Sequence, residues 1–265
     1  MKTAVKLVLI YFLMQILGAL VAGPFSILYT YITYGTLDAD KAESIALAPA
    51  MLLGFIFMGV YLWRKKYLTG DKHLYSFLTS SYLVWSVLAG ISVIFLIATL
   101  ASKLTFLPDW LDQTFNILQA GWLGIFCIAV LGPILEELLF RGAITKVLLR
   151  KYSPVKAILI SGLIFGIFHI NPAQVVSACL IGFFLAWLYY KTQSLIPCIL
   201  IHILNNSLAV YLSLKHPEAE ELPDLMGNIP FIIALVVFTL LFLFCLMKLN
   251  KYKLPDINVT TTTEV

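Results

Sequence analysis

Residues Leu131–Ile144 read LGPILEELLFRGAI, and three ionisable groups, Glu136, Glu137 and Arg141, stand in a run otherwise apolar enough to cross a bilayer. A charge at the centre of a membrane helix costs roughly 2.5–3.5 kcal/mol on insertion scales, so three uncompensated ones would cost on the order of 8–10 kcal/mol. One pair compensates itself. Glu137 and Arg141 are spaced i, i+4 with the acid on the N-terminal side, the favourable order for a helical ion pair. Glu136 is rotated about 100° from Glu137 and needs a partner from another helix. Gly132-Pro133, just ahead, either kinks the span or begins a new helix at its first turn. In the second case both glutamates would gain from the dipole of a helix N-terminus.

Other polar groups lie in apolar runs further on. In GLIFGIFHINP, Phe165 and His169 are four apart, Gly162 and Gly166 form a small face for close helix contact, and Asn171-Pro172 ends the helix. In LIHILNNSL, His202 and Asn206 are again i, i+4 and share a face. Each group alone reads as packing: a satisfied histidine, an ion-pair cluster locking helices together. Two histidines, an asparagine and a spare glutamate on three spans read better as chemistry. A glutamate beside a histidine can activate water as general base and return the proton to a leaving amine. A histidine and an asparagine can donate to a tetrahedral oxyanion. Alternatively Glu136, His169 and His202 form a zinc ligand set with water in the open position. The residues leave both readings open.

The elements that must position these groups are membrane helices. Of 265 residues 61% are hydrophobic and 12% charged, with a mean hydropathy of +0.94, against about 25% charged in soluble domains. Runs of about 20 apolar residues define eight spans: Leu7–Thr33, Ile45–Trp63, Tyr82–Ala101, Ile117–Phe140 (extending towards Leu149), Val155–Ile170, Val175–Tyr190, Leu195–Leu214 and Ile229–Met247. The fold expected is an all-α, polytopic transmembrane helical bundle. Its divisions are N-terminal spans over 1–115, a core holding the polar motifs over 116–214, and an acidic loop, last span and polar tail over 215–265. Basic and acidic connections alternate, which places both termini in the cytoplasm. On that topology His169 falls near the outer end of its span and His202 nearer the inner end of its own. Convergence therefore requires a tilted, broken or staggered helix.

Other features constrain less. The first run, with Lys2, Lys6 and ALVAG, resembles a signal peptide, but it continues well beyond Gly23, which favours an uncleaved span. Cys127, Cys179, Cys198 and Cys245 all fall in apolar runs without metal-site spacing and read as small buried hydrophobes. A net charge of +4 spread over loops gives a nucleic-acid role no support.

EELLFR, FGIFH and HILNN resemble the EExxxR, FxxxH and HxxxN motifs of the CAAX protease and bacteriocin-processing (Abi-domain) family of intramembrane proteases, related to type II CAAX prenyl endopeptidase. The resemblance covers about Gly121 to Leu214. It implies catalytic Glu136, His169, His202 and Asn206, supported by Glu137, Arg141 and Phe165. It also implies an endopeptidase acting through activated water on a membrane protein or lipidated peptide within the lipid bilayer. A divalent metal such as zinc on Glu136, His169 and His202 is one version of that mechanism, and a metal-free glutamate mechanism is the other. A non-catalytic protein of the same fold, acting in bacteriocin immunity or as a scaffold, is the alternative. A transporter is disfavoured by the absence of an internal repeat.

Overall fold

The computed structural model describes residues 1–69, 73–76, 78–219 and 221–251; the polar tail, residues 258–265, lies outside them. The described residues contain helices and no strand. In order these are α1 (Lys2–Tyr34), α2 (Ala39–Arg64), α3 (Ser80–Ala101) and the short α4 (Asp112–Gln119). A continuous α5 (Trp122–Leu149) follows. Then come α6 (Pro154–Phe168), α7 (Pro172–Thr192), α8 (Ile196–Lys215), the short α9 (Leu222–Met226) and α10 (Asn228–Asn250). Seven of these are long and apolar enough to cross a membrane. The eighth expected span is α6, apolar apart from Lys156 and Ser161 but only 15 residues long.

The boundaries follow local chemistry. Asp38 accepts a hydrogen bond from the Lys41 N–H and starts α2. Gly35 takes a left-handed φ of 71° and ends α1 by donating its N–H to Tyr31 O. Pro154 and Pro172 occupy the first helical positions of α6 and α7, where a missing N–H leaves no bond unmade.

α5 is the central helix. It is the most buried of the membrane-length helices and is touched by α1, α2, α6, α7 and α8. Around it α1 pairs with α2, α6 with α7, and α3 with α10. The glycine face of α6 carries its close contact. A Cβ at Gly166 would stand 2.8 Å from Val175 O of α7, and one at Gly182 would stand 3.1 Å from the Gly162 Cα. α10 leaves Ile229, Ile232, Val236, Leu240, Leu243 and Met247 exposed. In water such a face would drive aggregation; against acyl chains it is an ordinary surface.

Pro133 neither kinks α5 sharply into two helices nor begins a new one. Leu131 (φ −69°, ψ −40°) and Gly132 (φ −57°, ψ −58°) stay in the right-handed helical region on its N-terminal side. The helix instead widens to a π-helical turn over Cys127–Leu131 and again over Phe140–Thr145. The two glutamates therefore sit in mid-helix, and the stabilisation expected from a helix N-terminus does not arise there. π-turns inside α-helices occur frequently at functional sites, and here they bracket the two glutamates, with Arg141 inside the second turn.

Candidate active site

The charges of α5 resolve into a chain of contacts reaching α7 and α8. Arg141 Nη1 donates to Glu137 Oε1 at 2.6 Å, with both side chains fully buried. Arg141 Nη2 donates to the Gly182 carbonyl of α7 at 3.1 Å. The same Glu137 Oε1 meets His202 Nδ1 of α8 at 2.8 Å. A carboxylate oxygen only accepts, so Nδ1 carries the proton and His202 presents Nε2. That nitrogen lies 3.7 Å from Glu136 Oε2. Glu136 thus has its partner on another helix, as its rotation away from Glu137 requires. Its Oε2 is buried and makes no hydrogen bond.

Phe165 of α6 is the hub against which these groups pack. Its ring centroid is 4.5 Å from the Arg141 guanidinium carbon, 4.9 Å from the His169 ring and 5.6 Å from the His202 ring. A guanidinium over an aromatic face is held by the ring quadrupole, more strongly where water is excluded. His169 Nδ1 lies 2.8 Å from the Phe165 carbonyl, so its Nδ1 also carries the proton and its Nε2 is presented. The opposed depths of the two histidines are reconciled by the length of α6. Fifteen residues at 1.5 Å each span about 22 Å, short of a hydrocarbon core of about 30 Å. On the expected topology, with the basic segment RKYSPVK that contains Pro154 at one membrane face, the His169 end would fall inside the core thickness.

Asn206 does something its spacing did not suggest. Its Nδ2 donates to Ile128 O at 3.0 Å, and its Oδ1 accepts from Asn205 Nδ2 at 3.0 Å. Ile128 lies in the first π-turn, where its carbonyl would accept from residue 133. Residue 133 is proline, without an N–H, and the neighbouring Gly132 N–H is bonded to Cys127 O. Asn206 supplies the donor that Pro133 lacks.

Sequence reasoning missed three participants. Tyr11 of α1, 8% exposed, packs edge-on against Phe168 at 4.7 Å, next to the Phe165–His169 segment. It carries no signal among the apolar residues of α1. Asn171 and Asp109 bond to each other beside His169; Asn171-Pro172 announced only a helix end.

The donor set bears on a metal. A ligating imidazole normally has its second nitrogen fixed by a carboxylate or backbone carbonyl, and both histidines meet that condition. Among the described residues, however, no three carboxylate, imidazole or thiol groups converge as a ligand cluster. Glu136 and His202 approach one another, while His169 is not gathered with them. The residues as placed do not fit the three-ligand set expected of Glu136, His169 and His202.

Residues 117–208 match the family described as Type II CAAX prenyl endopeptidase Rce1-like. The chain is 35% identical over 100 residues to "Putative membrane peptidase YdiL" of Bacillus subtilis (strain 168), covering 38% of this chain and 41% of that protein. The match thus spans about two fifths of the length of that relative. No solved structure matches the chain. The resemblance read from three short motifs in this integral, multi-pass membrane protein therefore holds, over residues 117–208, for the Rce1-like type II CAAX prenyl endopeptidase family.

Proposed function

We propose that the chain is an intramembrane endopeptidase in which Glu136 activates water for attack on a peptide bond. One observation carries this reading: Glu136 Oε2 is buried, has no hydrogen-bond partner, and lies 3.7 Å from a His202 Nε2 whose ring is already oriented by Glu137. That separation is too long for a direct hydrogen bond, and a small rotation of the partly exposed Glu136 side chain would admit a bridging water. Such a water donates one proton to each group, leaving its oxygen free to attack a carbonyl carbon. Glu136 takes the proton as the C–O bond forms, then delivers it to the departing amine nitrogen as the C–N bond breaks. The second amide N–H of Asn206, and His169 when protonated, are the motif groups available to donate to the oxyanion. Arg141 and Glu137 hold His202 in place and take no part in the bond changes.

The substrate class follows from location. The Glu136 side chain is half-buried within the membrane-length helix α5, facing His202 of α8, a location that favours a membrane-embedded or lipid-modified peptide over a soluble protein. The experiment compares membranes of cells expressing the wild-type chain and Glu136→Gln by quantitative mass spectrometry of protein termini. New termini that appear with the wild type and vanish with Glu136→Gln, while the uncut precursor accumulates, support the reading. Identical termini in both would sink it in favour of a non-catalytic role.

A further inference from the structure

We infer that Asn171 and Asp109 are positioning residues for His169: a clasp between the α6–α7 turn and the α3–α4 loop that fixes where the His169 imidazole stands. This deepens the peptidase reading and rests on it for its purpose, though not for its geometry.

The turn after α6 is held in an unfavourable shape. Asn171 N–H closes on His169 O at 2.6 Å, a three-residue turn, and Ile170 between them has a φ of +60°. A β-branched residue in the left-handed region is a true outlier, and it persists only where its surroundings over-determine it. Ile170 itself is 58% exposed, so its own packing does not hold it there. The constraint comes from its two neighbours. On one side His169 Nδ1 is bonded to Phe165 O.

On the other side stands Asn171, fully buried. Asparagine at the start of a helix normally turns its side chain back to accept from the helix's own first N–H groups. Asn171 is the N-cap of α7 and makes no such bond. Its Oδ1 instead accepts from the Trp110 N–H at 3.0 Å, and its Nδ2 donates to Asp109 Oδ1 at 2.8 Å. That oxygen also accepts the Leu111 N–H at 3.0 Å, which shapes the loop around it. A backbone bond from Ala173 N–H to Pro108 O at 3.3 Å lies alongside. An asparagine that forgoes its own cap for two bonds to a loop some sixty residues away is acting as a tie between segments. The tied segment includes the one motif histidine that stands at a helix end, where no following turn would otherwise hold it.

The test uses histidine as its own probe. The chain has four histidines, and protein labelled with 13C and 15N only in histidine gives imidazole signals that His169→Gln and His202→Gln assign. Wild type, Asn171→Ala, Asp109→Ala and Asp109→Asn are compared in one detergent. Asp109 is exposed, so its replacement leaves the bundle core intact. The expected result is that both alanine variants shift or broaden the His169 signal and leave the Glu137-bound His202 signal in place. Asp109→Asn keeps an Oδ1 acceptor and retains the wild-type His169 signal. A His169 signal unchanged in both alanine variants overturns the inference, and so does an Asp109→Asn spectrum that matches Asp109→Ala. The readout is independent of proteolysis: a moved His169 signal alongside undiminished activity of Glu136→Gln would keep the clasp and discard the peptidase reading.

Discussion

The bond from Asn206 to Ile128 O separates two roles for the same side chain. If Asn206 served only as an oxyanion donor, its removal would slow cleavage and leave stability alone. The geometry requires a stability effect as well. Asn206→Ala strips the donor from a carbonyl that Pro133 cannot serve, in a residue only 8% exposed. A buried acceptor left unpaired costs about 1–3 kcal/mol, and α5 is the helix on which the whole site is built. Asn206→Asp should cost at least as much, because it turns an acceptor towards that carbonyl. The informative partner is Pro133→Ala, which restores an N–H within reach of Ile128 O. The loss caused by Asn206→Ala should then shrink, with a coupling of about 1 kcal/mol or more between the two sites. Equilibrium unfolding of the four proteins in one mixed-detergent system, followed by tryptophan fluorescence, measures it. Additive effects of Asn206→Ala and Pro133→Ala would refute the reasoning.

Further expectations follow from the same contacts. Arg141→Met leaves Glu137 as a buried carboxylate without its cation and should destabilise by about 3–5 kcal/mol, whereas Glu137→Gln combined with Arg141→Met should recover a large part of that loss in the same unfolding assay. Arg141→Lys should fall between, since a lysine cannot fork to both Glu137 and Gly182 O or stack flat on Phe165; stability equal to wild type would contradict the role given to the fork. Gly166→Val should drive α6 and α7 apart, destabilising by about 1–3 kcal/mol or more through overpacking, with native melting temperature as the readout. Purified active protein should contain no stoichiometric metal by elemental mass spectrometry and should survive chelation. One ion per chain, lost in both Glu136→Ala and His169→Ala, would show that His169 and Glu136 draw together around a ligand.

Much of this architecture was legible because membrane sequences expose their logic. Runs of apolar residues fix element type and length, and any charge within them demands a partner. The Glu137–Arg141 pair followed from i, i+4 spacing alone, and Glu136 was visible as the carboxylate left over. The glycine face of Gly162 and Gly166 likewise announced a close neighbour, which is α7. Other features were out of reach because they depend on which helices meet. Nothing in HILNN says that Asn206 reaches a carbonyl 78 residues earlier. Nothing in Asn171-Pro172 says that the asparagine bonds to Asp109 rather than capping its own helix. Pro133 misled in a particular way: proline signals a break or a start, but a π-turn absorbs it when a side chain elsewhere supplies the missing donor. The brevity of α6 was visible in its short apolar run, but hydropathy registers apolar content and not how that helix packs.

That short helix bears on how a hydrolytic site could be supplied within hydrocarbon, which excludes one of its two reactants. A helix some 8 Å shorter than the core obliges the surrounding lipid to thin locally or the polar turn at its end to draw solvent inward. The turn in question ends in His169 and is tied through Asn171 to an exposed aspartate. Either response would lower the hydrated boundary towards the imidazole. On the proposed peptidase reading, bilayer thickness would then be a variable of the reaction: thicker membranes would lengthen the path water must take, and thinner ones would shorten it.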